Sequence, residues 1–433
     1  MLRKGATQLD TGNELKILMA GCSGGHVPIV IRALDLMGQH GSPVQMLSIY
    51  SDAFFEAARH NSTDVMKLLL NCGTRFERQC LSKAFDVACE SGHSKAVRCL
   101  IEHDTDNLFG VQQCNKGFEK AAMHGHCELV CYFMEHCSGR SYFTISEEAI
   151  MTAAGNGYAD IVRFLIEEVK RSELRHSTLN RALNTASRHG RREVVELLIR
   201  EGGNLNAVVE EVSAPGLDGL YPHLPVPHSN ALQGALRSFH PRLIRADRRR
   251  ADAITHEATI HLLLNNGADV NELAGCPTYP LYAAAAQCSD RVVQSIIDKG
   301  AVLNESSSEY GTALQAAAGR GLGAATITKL LLQAGAIIPE SDAGKNPVLN
   351  AALGFGLRIE DALVDGSGAV VKLLLPRLPM EKAESEGYGI LLQKAVVVGD
   401  RDFVELLLQR EVDVDAVGHN YGVRFRLLPL WAM

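Results

Sequence analysis

Apolar residues recur with helical spacing in two short runs between Leu179 and Asn206, a stretch that reads LNRALNTASRHGRREVVELLIREGGNLN. In the first run, apolar residues three and four positions apart form one stripe, which is typical of a helix with one buried face. Gly190 interrupts that pattern, and Gly202 follows the second run, where glycine commonly ends a helix. Each predicted helix is too short to be stable alone in water, so the stretch predicts a helical hairpin that packs against similar hairpins.

The turn position that Gly190 occupies recurs in the amino-terminal half of the chain at a nearly constant interval of 31 to 36 residues. A period of this length indicates a solenoid of stacked supersecondary units, here about eleven. The copies in the amino-terminal half are Gly25, Asn61, Gly92, Gly125, Gly157 and Gly190. Further copies are predicted near Phe239, Cys288, Gly321, Gly356 and Gly399.

The motifs within these units resemble those of the ankyrin repeat family. The resemblance rests on FDVACESGH at Phe85–His93, FEKAAMHGH at Phe118–His126, GADVN at Gly267–Asn271 and GTALQAAAGRG at Gly311–Gly321. The segment from Tyr310 is also similar to the long ankyrin arrays of filamentous fungi. The resemblance implies an all-α ankyrin-repeat solenoid of helix-turn-helix units with short β-hairpin-like fingers. It also implies a scaffold that binds partner proteins without catalysis.

Two arrays are predicted, with proline-rich sequence between them. The first array spans residues 13–206 with about six repeats, and the second spans 231–417 with about five repeats and insertions at 241–253 and 356–367. Residues 207–230 contain four prolines, which exclude a regular helix. This segment is either a tolerated insertion between fingers or a loop that contacts a partner. Residues 418–433 are a truncated repeat or a tail.

Composition and charge restrict the functional classes. The net charge of −7 over 433 residues argues against general nucleic-acid binding. The eleven cysteines follow no disulfide framework, so reduced thiols in an intracellular protein, cytoplasmic or nuclear, are expected. No apolar run is long enough for a membrane helix, and a monomer is expected. The arginine-rich stretch at residues 237–250 is either a solvated extension of a helix or a site for an acidic ligand or nucleic acid.

Few residues are arranged for chemistry. Cys127 and Cys131 lie four residues apart on a predicted helix and are candidate zinc ligands together with a nearby histidine. The alternative is that small thiols pack in the helix, while His126 occupies the usual Gly-His position of the repeat. No phosphate-binding loop, nucleophile elbow or metalloprotease motif is present, so neither an enzyme nor a cofactor is expected.

The candidate partner site follows from the resemblance. In ankyrin-repeat proteins, partners usually lie in the concave groove, to which the first helices of the repeats contribute. Recurring cations at these positions predict an acidic partner segment, with arginines pairing carboxylates; the alternative is that the positions share no ligand. The candidate residues are Glu56, Arg59, His60, Glu90, Lys120, His124, Asn156, Arg188, His189, Arg237, Arg320 and Lys394.

Overall fold

A computed structural model gives the fold of part of the chain. The described residues are 11–38, 43–72, 76–103, 109–137, 146–169, 175–210, 228–238, 249–276, 278–307, 311–320, 323–339, 347–353, 367–377, 392, 395–396 and 400–409. The chain divides into two compact units, Met1–Ala182 and Leu183–Met433. The predicted array boundary at residues 207–230 stays a prediction, and residues 211–227 lie outside the described part.

Unit 1 is a two-layer stack of helical hairpins. The first helices of successive hairpins pack on one another in the order α1, α3, α5, α7 and α9, and the second helices pack in the order α2, α4, α6, α8 and α10. We call these the inner and outer helices. Their bounds are α1 (Thr11–Ser23), α2 (Val27–Gly38), α3 (Pro43–Arg59), α4 (Thr63–Asn71), α5 (Arg78–Glu90), α6 (Ser94–Glu102), α7 (Val111–His124), α8 (Cys127–Cys137), α9 (Glu147–Asn156) and α10 (Ala159–Val169). Helix α11 (Arg175–Arg188) begins in unit 1.

Unit 2 has the same two layers. Helices α13, α15, α17 and α19 pack in succession as inner helices, and α12, α14, α16, α18 and α20 pack as outer helices. Their bounds are α12 (Arg192–Arg200), α13 (Ala231–Ser238), α14 (Arg249–Asn265), α15 (Pro280–Gln287), α16 (Asp290–Asp298), α17 (Ala313–Gly319), α18 (Ala324–Ala334), α19 (Pro347–Leu353) and α20 (Ser367–Leu374), followed by a 3-10 turn (Leu375–Arg377) and α21 (Arg401–Leu408).

Two short antiparallel strand pairs in unit 2 correspond to the predicted fingers. Strand β1 (Val209–Glu210) pairs with β2 (His228–Ser229), and β3 (Ser306–Ser307) pairs with β4 (Gly311–Thr312). Asparagine side chains also link the loop of one repeat to the loop of the next. The Asn206, Asn271 and Asn304 side chains each accept a hydrogen bond from a main-chain N–H of the next repeat, at 2.9, 2.8 and 2.8 Å. These contacts fix successive repeats of unit 2 in register at their finger side.

The six predicted turn positions of the amino-terminal half share one backbone geometry. All six copies in the amino-terminal half have positive φ, including the non-glycine residue Asn61 at 60°. At this point the chain reverses from an inner to an outer helix, and positive φ is a conformation that glycine adopts without steric cost. The described part of the chain therefore has the predicted helix-turn-helix, all-α architecture, while the total of eleven repeats stays a prediction.

Buried apolar side chains fill the space between the two layers. In unit 1 the largest fully buried residues include Phe54, Phe85, Phe118 and Phe133. The inner helices contribute mostly alanine beside them, such as the pairs Ala57–Ala58 and Ala121–Ala122, which allow neighbouring helices to approach closely. None of the described helices is long and apolar enough to cross a membrane.

Candidate functional site

The carboxyl ends of the inner helices of unit 1 expose a row of side chains. In each hairpin, the residues just before the turn lie at the end of the inner helix, where the chain leaves the alanine-rich interface and side chains reach solvent. We call this row the rim of unit 1. It consists of Arg59, His60, Glu90, Met123, His124 and Asn156, all of them exposed.

The main chain of the rim is held by the following repeat. His93 Nε2 lies 2.7 Å from the carbonyl oxygen of Arg59, and His126 Nε2 lies 2.7 Å from that of Glu90. Asn156 Nδ2 donates to the carbonyl oxygen of Met123 at 2.8 Å. Carbonyl groups at the end of a helix have no partner within that helix, so a donor from the next repeat satisfies them. The exposed side chains of the rim therefore project from a fixed main chain.

Asn156 has a structural role that the sequence did not predict. Its predicted role was partner binding, and that role stays a prediction. In the structure, its side-chain amide occupies the same inter-repeat position as the imidazoles of His93 and His126. The sequence signal for this contact is a polar residue beside the turn glycine. His93 and His126 each follow their glycine, whereas Asn156 precedes Gly157, so the Gly-His motif of the family does not identify its contact.

Lys120 forms ion pairs within unit 1. Its Nζ lies 2.8 Å from Glu90 Oε1 and 3.3 Å from Asp86 Oδ2, so α7 is tied to α5. Burial lowers the pKa of Lys120, but the hydrogen bond to Glu90 and the charge of Asp86 outweigh it and leave the pKa raised. The charge of Lys120 is therefore compensated by the protein's own carboxylates. Of the predicted cations in unit 1, Arg59 is the one exposed on the rim.

Two further polar contacts reinforce the inner layer of unit 1. Glu147 on α9 accepts hydrogen bonds from Thr178 Oγ1 at 2.9 Å and from Arg181, both on α11. The imidazole of His60 lies 3.0 Å from Glu56 Oε1, one helical turn earlier. Glu56 and His60 thus form one pair on α3. The residue spacing along α3 allows that pair to be predicted, whereas the contacts of Glu147 cross between repeats.

The candidate residues of unit 2 have different environments. Arg188 and Arg237 are partly buried and His189 is exposed. Arg320 donates from one guanidinium nitrogen to the carbonyl oxygens of Ala285 and Cys288, at 3.0 and 2.8 Å. Desolvation lowers the pKa of Arg320, and the nearby Cys288 opposes that shift. Arg320 therefore holds the end of α15.

Three other predicted sites lie wholly or largely outside the described residues. Lys394 is one of them. In the arginine-rich stretch, residues 239–248 are not described, and α14 begins at Arg249. The insertion at 356–367 is described only at its last residue, which begins α20.

The candidate zinc ligands lie on and beside α8. Cys127 is exposed and Cys131 is half-buried, and the pKa of Cys131 is raised by desolvation and by the neighbouring Cys127. His126 is engaged by a carbonyl of α5, and His136 Nδ1 lies 3.0 Å from a carbonyl one turn earlier on α8. Across the described ranges, no group of three or more His, Cys, Asp and Glu side chains is placed to hold a metal ion.

Cysteine reactivity should divide according to exposure and pKa. Cys72 and Cys127 are exposed, whereas Cys22, Cys89 and Cys288 are buried. Burial raises the pKa of Cys22 to about 12, with a smaller contribution from Glu56, and burial also raises the pKa of Cys89 and Cys288. Because the thiolate is the reactive form, a maleimide at neutral pH should label the two exposed thiols first and spare the three buried ones.

Site-resolved mass spectrometry after a short labelling pulse would test this division. The control is the chain unfolded in denaturant, in which all eleven cysteines should react. Labelling of Cys89 as rapid as that of Cys127 in the folded chain would contradict the prediction.

The stacked hairpins define the class of protein to which the chain belongs. In both units, short helices pack in two layers, which is the arrangement of a helical-repeat protein. Residues 118–208 match the family model for ankyrin repeats, in three copies. Residues 118–208 therefore contain ankyrin repeats. A search of curated proteins found no match to it.

Proposed function

We propose that the chain is a non-catalytic recognition scaffold that binds a partner protein through the rim of unit 1. Ankyrin repeats are in general protein-interaction modules, and their domains are typically non-catalytic. The observation that carries the proposal is that the rim side chains are exposed while the main chain beneath them is held by the next repeat. A surface ordered in advance loses less conformational entropy on binding.

The chemistry of the rim indicates what a partner would present. Arg59, Glu90 and Met123 occupy the same position in three consecutive repeats. Because Glu90 is paired with Lys120, the rim offers a partner one cation at Arg59 and one apolar side chain at Met123. Met123 is 48% exposed, which is high for a large apolar residue. The partner segment would place a carboxylate against Arg59 and an apolar side chain against Met123. The acidic partner predicted from the sequence is thus retained in the proposal for the Arg59 end.

The proposal can be tested by affinity capture from a lysate of cells that produce the protein. The full chain would be compared with the double variant Arg59→Ala and Met123→Ala, which should retain about a tenth or less of the specific partner, since two central contacts are removed. Alanine is favourable in helices, so the fold should persist. The matched control is Arg163→Ala on the outer helix α10, where the side chain is 61% exposed.

The outcome that contradicts the proposal is equal capture of every specific partner by the rim variant and the unaltered chain. A partner lost equally from the rim variant and from Arg163→Ala would also count against the rim. Circular dichroism of all three proteins would show whether a loss of capture reflects unfolding.

A further inference from the structure

The first hairpin of unit 1 has an apolar groove between α1 and α2. The groove has a volume of about 350 Å³, and its lining includes Ile17, Ile29 and Leu36. Ile17 and Ile29 are 49% and 44% exposed, which is high for large apolar side chains. Two such side chains exposed in one groove mark a candidate interaction surface.

The positions of Ile17 and Ile29 are buried in the repeats that follow. Ile17 lies eight residues before the turn residue Gly25, and Ile29 lies four residues after it. The residues at the position of Ile17 in the next five repeats are small and buried, namely Ala53, Ala84, Gly117, Ala149 and Ala182. The residues at the position of Ile29 are Val65, Ala96, Leu129, Ile161 and Val194, which are also buried.

The position of Ile17 faces the preceding repeat in the stack. At the equivalent Gly117 on α7, a Cβ atom would lie 2.8 Å from Phe85 on α5, in the repeat before it. The groove is therefore the face that stacking covers in the following repeats. Because Ile17 is much larger than the alanine or glycine at that position, another hairpin of this type could not approach α1 as closely as the repeats approach one another. The groove favours a different occupant.

One anionic and one cationic side chain line the same groove. Glu14 lies in the first turn of α1 and is only 7% exposed, whereas Arg32 on α2 is exposed. Within the described part of the chain, neither side chain forms a hydrogen bond or an ion pair. Burial of an unpaired carboxylate costs free energy. An occupant that brings a cation to Glu14 and an anion to Arg32 would therefore be favoured.

We propose that this groove is an interface between two copies of the chain related by a two-fold axis. A two-fold interface brings the same surface of both copies together, so Glu14 of each copy can pair with Arg32 of the other. Ile17 and Ile29 of the two copies would then cover one another. The choice of a second copy rests on charge complementarity, because a surface with one unpaired anion and one unpaired cation is complementary to itself. This proposal replaces the monomer expected from the sequence, and it is independent of the rim of unit 1.

Sedimentation velocity of the full chain tests the proposal. The unaltered chain should change from monomer to dimer between about 1 and 100 μM, the affinity expected for a small interface. Glu14→Arg alone and Arg32→Glu alone should each raise the Kd of the dimer about tenfold or more. Each substitution places like charges opposite one another, and the two-fold axis repeats that conflict.

An equimolar mixture of these two variants should form the dimer again. In the mixed dimer, the two reversed positions face one another and so do the two unaltered positions, so both pairs have opposite charges. Restored association would show that Glu14 and Arg32 meet directly across the interface. Circular dichroism of each variant alone would show that it remains folded.

Ile17→Ala tests the apolar part of the interface. It should raise the Kd of the dimer about tenfold or more, because an apolar contact is lost from both copies. The fold should be retained, since alanine occupies the equivalent position in four of the next five repeats. The matched control is Arg163→Glu on α10, where the side chain is 61% exposed. It should change the Kd by less than about twofold.

Three outcomes would overturn the inference. The first is a monomer at every concentration, and a lower melting temperature of Ile17→Ala in that monomer would assign the groove to a segment of the chain itself. The second is a dimer that Ile17→Ala leaves unchanged, which would place the interface elsewhere. The third is a mixture of folded Glu14→Arg and Arg32→Glu chains that associates no better than either variant alone.

Discussion

Replacing Phe85 by alanine is expected to lower the free energy of unfolding by about 3–5 kcal/mol. Phe85 is fully buried on α5. Its ring stacks on Phe109 with 4.8 Å between centroids, and it meets Phe133 edge-on at 6.2 Å. A Cβ atom on Gly117 would lie 2.8 Å from both Phe85 and Phe133, so the two rings already fill the space over that glycine. Removal of one ring would leave a cavity joining α5, α7 and α8.

The effect should extend beyond the altered repeat. A repeat protein owes much of its stability to the interfaces between neighbouring repeats, so a damaged interface destabilises both sides. Hydrogen exchange should therefore show lost protection in α5, α7 and α8. Met123→Ala is the control, since this side chain in the same unit is exposed and its loss should change stability by less than about 0.5 kcal/mol. Equal shifts of the urea midpoint in the two variants would contradict this account.

The period of the turns was the most informative feature of the sequence. The turn at Asn61 was predicted from its position in the repeat, and the structure adds that its backbone is left-handed, with φ of 60°. The fingers in unit 2 were also predicted by the resemblance. These features depend on residues close together in sequence, where the pattern of apolar positions and the turn residues decide the backbone.

Contacts between repeats were not predicted, because they depend on which side chains meet after the helices have stacked. Lys120 was predicted as a cation of the groove, and the structure pairs it with Asp86 and Glu90, about thirty residues earlier. Arg320 was assigned to a partner site, and it holds the end of α15. In both cases the sequence predicted a cation at the right position. The group that the cation contacts lies one repeat away, and no rule based on neighbouring residues in the sequence identifies that group.

Helix α14 illustrates the same limit for helix boundaries. The arginine-rich stretch had two interpretations, one of which was an extension of the second helix. In the structure α14 begins at Arg249, so the end of that stretch is helical. The sequence alone left the choice open because arginine is a good helix former and also a frequent ligand of anions.

Gly190→Ala is expected to lower the free energy of unfolding by about 2–4 kcal/mol. Gly190 has φ of +66°. At this left-handed backbone angle, the Cβ atom of alanine causes strain of about 1–2 kcal/mol. The added Cβ would also approach His256 to 2.6 Å. The imidazole would have to move, and its contact with the carbonyl of Arg188 would weaken. The loss should be measured as the shift of the urea midpoint for the full chain.

Gly202→Ala is the control, because Gly202 follows the carboxyl end of α12, whereas Gly190 precedes its amino end. Gly202 has φ of +91°, but a Cβ atom there would meet nothing within 4 Å. Its substitution should therefore cost about 1–2 kcal/mol, from backbone strain alone. The difference between the two variants then measures the steric conflict with His256. Equal losses would mean that the ring moves away without cost.

The double variant Gly190→Ala with His256→Ala separates the two contributions at this turn. If the ring causes the additional loss, the two substitutions should be less harmful together than the sum of their separate effects, because the second removes the group with which the first collides. Losses that simply add would mean that the collision with the ring does not cause the additional loss of free energy of unfolding.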